Sequence, residues 1–120
     1  MIKTFRDLLV WQKAMFFVTE VYKITKKFPQ EENFGLTSQI RRSAISIPSN
    51  IAEGFGREGI GDYLRFLNIG MASLFELQTQ LEISCNLEYI SKPKFEELYE
   101  STREIERMLS SLIRKIKEKR

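Results

Sequence analysis

Hydrophobic positions recur along this chain at three- and four-residue steps, with no convincing run at alternate residues. That period marks amphipathic helices, and it appears in four stretches. In the first, Leu8, Trp11, Met15, Val18 and Tyr22 form one row, and Val10, Ala14, Phe17, Val21, Ile24 and Phe28 form a second beside it. Two adjoining rows predict a helix with a wide buried face, ending near Phe28 because Pro29 disfavours a helical residue before it. The polar run PQEENFG then reads as a loop. A second stripe, Leu36, Ile40, Ala44, Ile47, Ile51 and Phe55, stops at a cluster of glycines. The third segment begins near Asp62, a residue type suited to an N-cap. It carries Tyr63, Leu64, Leu67, Met71, Leu74, Leu77, Leu81 and Cys85 and ends around Glu88. At about 1.5 Å per residue it is a rod of roughly 40 Å. The fourth opens at Ser91, with Pro93 in its first turn, where a missing N–H is tolerated. Its Phe95, Leu98, Thr102, Ile105, Leu109, Leu112 and Ile116 keep coiled-coil-like spacing throughout. Four such helices on short loops predict an all-α fold: an antiparallel up-down four-helix bundle, one domain spanning residues 1–120.

Two local features interrupt the pattern. Pro48 sits inside the second stripe, yet Ala44, Ile47, Ile51 and Phe55 keep one face across it, so the reading is a proline-kinked second helix and not a restart. The opposite face, Arg42, Ser46, Ser49, Glu53 and Arg57, is too polar for a core and reads either as solvated or as an interface or ligand surface. The second feature is Gly54-Phe55-Gly56-Arg57-Glu58-Gly59, a literal G-x-G-x-x-G. A dinucleotide fingerprint needs a strand before the glycines and a βαβ unit around them, and here the preceding element has helical period. The motif therefore reads as a turn: Gly54 and Gly56 ending the second helix in left-handed conformations, Gly59 and Gly61 reversing the chain into the third.

Composition narrows the chemistry. The 120 residues are 42% hydrophobic and 29% charged, with a net charge of +3, one cysteine and no histidine. A single cysteine, Cys85, excludes an intramolecular disulfide and any multi-cysteine metal site, and its place on an apolar stripe reads as core. Without histidine, acid–base work would fall to pairs such as Glu53 with Glu76, or Asp62 with Tyr63, and the E-x-x-H spacing of bundle di-metal sites is missing. The expectation is a non-enzyme with no cofactor and no metal. Apolar runs are only a few residues long and the start, MIKTFRDLLVWQK, lacks a signal-like core, so a soluble cytoplasmic protein away from membranes is expected.

Charge is distributed unevenly. The segment from Arg114 onward, RKIKEKR, sets five cations against Glu118, whereas residues 59 to 90 hold only Arg65 against Asp62, Glu76, Glu82 and Glu88. Candidate phosphate contacts are Arg41, Arg42 and Arg57 near the second helix, Lys23, Lys26 and Lys27 at the end of the first, and Arg114, Lys115 and Lys117 in the tail. Cations at helix C-termini also favour the negative end of the dipole, an explanation open to Lys26, Lys27 and the tail but not to the mid-helix arginines. Asn50, Glu53, Arg57, Arg65 and Glu76 form a candidate interhelical or subunit polar network.

The strings FRDLLVWQKA, FPQEENFGLTSQIRRSAISIPSNIAEGFGR and YLRFLNIGMASLFELQTQLEIS closely resemble the four-helix-bundle family encoded in intervening sequences of bacterial 23S ribosomal RNA genes. The likeness spans the first three helices. Its motif positions here are Trp11, Gln39, Arg41, Arg42, Ser46, Pro48, Asn50, Glu53, Gly54, Gly56 and Arg57, then Arg65, Phe66, Ser73 and Glu76. The family is in turn similar to the accessory variability protein of diversity-generating retroelements. The resemblance implies a homo-oligomer, a pentameric barrel, with nucleic-acid binding among relatives and no catalytic activity. Two functions follow as expectations. One is an oligomeric bundle associated with RNA or DNA through basic patches. The other is an adaptor ring that binds a protein, such as a reverse transcriptase or a ribosomal component, without touching nucleic acid.

Overall fold

A computed structural model describes residues 1–120 as four α-helices and no strand. Helix α1 spans Leu9–Thr25, α2 Leu36–Phe55, α3 Ile60–Asn86 and α4 Lys92–Glu118. They form a rod of 45 × 25 × 21 Å. Neighbouring helices run antiparallel, as their cross-contacts show. Ser43 meets Glu76, Ser46 meets Ser73 and Gly54 lies against Phe66, so position falls on α3 as it rises on α2. The same reversal relates Gln78 and Gly70 of α3 to Thr102 and Leu109 of α4. It also relates Thr25 and Trp11 of α1 to Arg41 and Ala52 of α2. The α2–α3 seam is the most extensive and the α1–α4 seam the sparsest.

The core selects one of the two rows on α1. Val10, Ala14, Phe17 and Val21 are buried, whereas Met15 and Tyr22 are exposed and Trp11 and Val18 only half-buried. The wide face expected of α1 is therefore divided. Its second row enters the core, and its first row flanks α2, where Trp11, Met15 and Val18 line an open groove with Ile45 and Pro48. Opposite the buried row stand Ile40, Ala44, Ile47 and Ile51 of α2, Leu67, Leu74, Leu77 and Leu81 of α3, and Leu98, Ile105 and Leu109 of α4. Each such leucine or isoleucine contributes roughly 1.5–3 kcal/mol on leaving water.

Helix ends follow local chemistry that differs in places from the expectation. A short 3₁₀ turn, Phe5–Asp7, precedes α1 and is fixed by a reciprocal cap between Thr4 and Asp7. The Asp7 carboxylate accepts the Thr4 and Lys3 amides, which hold its carboxyl below the ordinary value. Helix α3 starts two residues before Asp62, with extended Gly59 at its N-cap. Asp62 sits in the first turn instead, where its charge favours the positive end of the helix. Ser91 does cap α4, accepting the Lys94 amide at 3.2 Å. Helix α2 runs through Pro48, which leaves the Ala44 carbonyl without its usual intrahelical donor.

The glycines correct a second expectation, because none has positive φ. Gly54 lies within α2, and a Cβ there would come 2.9 Å from the Phe66 Cβ and 3.2 Å from the Tyr63 carbonyl. Its smallness admits α3; it does not make a turn. The left-handed conformation falls on Glu88, φ 66°, in the turn after α3. There the Glu88 amide donates to the Cys85 carbonyl and the Tyr89 amide to the Ser84 carbonyl, closing the helix in a Schellman arrangement where glycine is usual.

Candidate nucleic-acid interface

Antiparallel packing gathers the cations at the two ends of the rod. At one end Lys23 in the last turn of α1, with Lys26 and Lys27 just after it, stands near the beginnings of α2 and α4. Lys23 and Lys27 share an open groove of about 540 Å³ with Lys94, Tyr89 and Glu20. Lys23 pairs loosely with Glu20 at 3.8 Å, and Lys26 and Lys27 have no carboxylate within ion-pair distance. At the other end lie Arg57, Arg65 and the tail of α4, whose Arg120 reaches toward Gly61. Arg114, Lys115 and Lys117 are exposed and unpaired there. Arg57 differs from them. Its guanidinium carbon lies 4.7 Å from the Phe66 ring centroid, and it meets Glu53 of its own helix at 3.9 Å.

Arg41 and Arg42 lie a turn and a half into α2, beside a groove of about 700 Å³ lined by Tyr22, Asn33, Thr37, Ser38, Ile45 and Ser46 as well as themselves. Arg41 is held in place. Its Nε donates to Thr25 Oγ1 at 2.8 Å, Thr25 donates in turn to the Val21 carbonyl, and the guanidinium carbon sits 4.4 Å over the Tyr22 ring. Hydrogen bonding through Nε leaves both terminal nitrogens as donors. Arg42 is exposed, and neither arginine meets a carboxylate. Residues not named as site candidates from the sequence complete this groove, namely Tyr22, Asn33, Thr37 and Ser38. The available signal was the spacing Thr37-Ser38-x-x-Arg41-Arg42, which sets hydroxyls in a first helical turn one turn before two cations.

The five residues of the candidate polar network are not brought together. Asn50 donates to the Ser46 carbonyl and hydroxyl at 2.8 and 2.9 Å, and Ser46 Oγ lies 2.8 Å from Ser73 Oγ on α3. Ser46 thus bonds across to α3 while also bordering the groove beside Arg42. Glu76 crosses the same seam one turn away, accepting from Ser43 Oγ at 3.0 Å. Glu53 and Arg57 pair only along α2, and Arg65 pairs along α3 with Asp62 at 3.4 Å while its guanidinium also lies against Phe66. No arginine joins Glu53 or Glu76 across helices within the chain, because serine and asparagine occupy the close α2–α3 seam where such pairs were expected.

The outer face of α3 has a different character. Ile69, Phe75 and Ile83, with Leu87 at its C-cap, are each 40% exposed or more, on a stretch whose charges are Glu76 and Glu82 alone. No group of three or more His, Cys, Asp or Glu is placed to hold a metal ion, and no helix is long and apolar enough to cross a membrane.

A four-helix bundle with a small-residue α2–α3 seam defines the class. The chain belongs to the 23S rRNA-intervening sequence protein family, whose model matches residues 6–111. Among solved structures it is similar to a protein of unknown function from the S23 ribosomal protein family of Bacteroides thetaiotaomicron. The TM-score is 0.81 at 27% identity, covering 88% of this chain and 96% of the other. No curated protein matches the chain.

Proposed function

We propose that this chain is a non-enzymatic, oligomeric helical bundle that associates with RNA through its basic surface. The observation that carries the reading is the pair Arg41 and Arg42 on one groove wall with no carboxylate among the lining residues. Cations a turn and a half from a helix N-terminus gain nothing from its dipole, and Arg41 is already oriented by Thr25 and Tyr22. The family's name, which ties it to the 23S ribosomal RNA gene, supports RNA over DNA. A ring, a pentamer by family resemblance, would repeat one modest basic patch and raise apparent affinity with no new kind of contact. The exposed apolar residues on α3 offer a surface for a second copy.

Fluorescence anisotropy with a labelled ribosomal RNA fragment across a salt series tests this, alongside light scattering of the eluted protein. The expected outcome is a multi-subunit mass and an affinity falling steeply with salt, by roughly 0.7 log units per log unit of salt for each single-strand phosphate contacted. A monomer that ignores RNA at low salt refutes the proposal. The same apolar α3 face favours a second reading, a ring that binds a protein partner, and salt-insensitive capture of a protein with no RNA affinity decides for it.

A further inference from the structure

We infer that the groove at the start of α2 is a phosphate-binding site, in which the amides and hydroxyls of Thr37 and Ser38, with the guanidiniums of Arg41 and Arg42, hold a phosphate of a nucleic-acid strand. The origin of that phosphate rests on the RNA reading above; the site itself rests on geometry. Helix α2 is 20 residues long and its N-cap, Gly35, has no side chain to take up the free amides of the first turn. The Leu36 amide donates to Glu32 Oε1 at 3.0 Å and the Gln39 amide to the Gly35 carbonyl. Between them the amides of Thr37 and Ser38 meet no acceptor. Aligned N–H groups at the positive end of a long helix suit an anion.

The second observation is Thr37 itself. The residue is 3% exposed, it lines the groove, and its hydroxyl has no hydrogen-bond partner. Elsewhere in this chain Thr25, Thr79 and Ser84 donate to the carbonyl four residues back. Thr37 leaves that bond unmade, and a shielded hydroxyl in this state costs about 1–3 kcal/mol unless something else accepts from it. One turn further along stand the forked donors of Arg41, fixed over Tyr22, and of Arg42, exposed. The preceding turn carries Glu31 and Glu32. Glu32 is engaged on one oxygen by Leu36 and on the other by the Tyr89 hydroxyl, and neither carboxylate lines the groove. A phosphate oxyanion can accept from amides and hydroxyls and pair with guanidinium forks at once.

The test is an amide-resolved NMR titration of the intact chain with inorganic phosphate, with chloride at matched ionic strength as control. Saturable shifts at the Thr37 and Ser38 amides are expected, with affinity weakened about tenfold in Arg42→Gln and in Thr37→Val, the loss of one charge-assisted or buried hydrogen bond. Arg42 is exposed and valine keeps the shape of threonine, so both variants keep the fold, as a melting curve verifies. No saturable shift in the wild type, or unchanged affinity in both variants, overturns the site. A 5′-phosphorylated oligoribonucleotide and its 5′-hydroxyl twin then separate the sources. Preference for the first assigns a terminal phosphate, and equal binding weakened alike by Arg42→Gln assigns a backbone phosphodiester. RNA binding that neither substitution alters rejects this site and leaves the RNA reading standing. A phosphate-saturable groove in a protein that ignores RNA keeps the site and rejects its nucleic-acid origin.

Discussion

At Gly54 the three atoms nearest a would-be Cβ are the Phe66 Cβ, a Tyr63 ring carbon and the Tyr63 carbonyl oxygen, at 2.9, 3.0 and 3.2 Å. Two of these belong to α3's backbone or to the root of a side chain, so they cannot swing aside. Helix propensity alone favours alanine over glycine by about 1 kcal/mol. Overpacking at a fixed seam costs about 1–3 kcal/mol, and here it outweighs the propensity gain. Gly54→Ala is therefore expected to lower the melting temperature by several degrees in a thermal scan, and an equal or higher value would contradict the packing argument. Phe66 shows the same seam from its other side. The guanidiniums of Arg57 and Arg65 lie 4.7 and 4.6 Å from its ring centroid, which gives two exposed cations a structural task beside any contact with phosphate.

Between elements, Tyr89 joins the two turns at one end of the rod. It follows the left-handed Glu88 after α3, its ring packs 5.3 Å from Phe28 after α1, and its hydroxyl donates to Glu32 Oε2 at 2.9 Å. Glu32's other oxygen accepts the first amide of α2. These bonds, the Leu36 amide first and the Tyr89 hydroxyl second, hold the Glu32 carboxyl below its ordinary value of 4.5. Because the folded value is lowered, the stabilisation is complete above 4.5 and disappears as pH falls through the folded value. Glu32→Gln is thus expected to melt below the wild type at neutral pH, with the gap closing in acid. Melts across a pH series check this, and a gap independent of pH would remove the carboxylate's role. The helices themselves were legible in the sequence, since a three-and-four period survives any choice of partner. Their ends were less so: Asp62 looked like a cap because its side chain is suited to one, yet packing placed the chain reversal at Gly59. The cations of the site were legible too, as arginines out of place for a dipole. Thr37 and Tyr22 were not, because what makes them part of the groove is the approach of α1 to α2 across a turn, which no local spacing records.

For the molecule as a whole, three of the four seams join helices adjacent in the chain, and one does not. The α1–α4 seam brings the first quarter of the sequence against the last, and it is also the sparsest. Its visible tie is Lys13 to Glu104 at 2.7 Å, with both side chains about half exposed, a pair worth about 0–1 kcal/mol. Closing so long a loop has the highest entropic cost and the smallest return in contacts. The order of events in folding follows from this: the α2–α3 hairpin, with its close serine and glycine seam, consolidates first, and α1 meets α4 after the rate-limiting barrier. Leu98, which lines a groove of the late seam together with Phe17, reports on it. Stopped-flow measurements on Leu98→Ala should find unfolding accelerated and the folding rate nearly unchanged. Slowed folding would instead place the closing of the ring inside the nucleus.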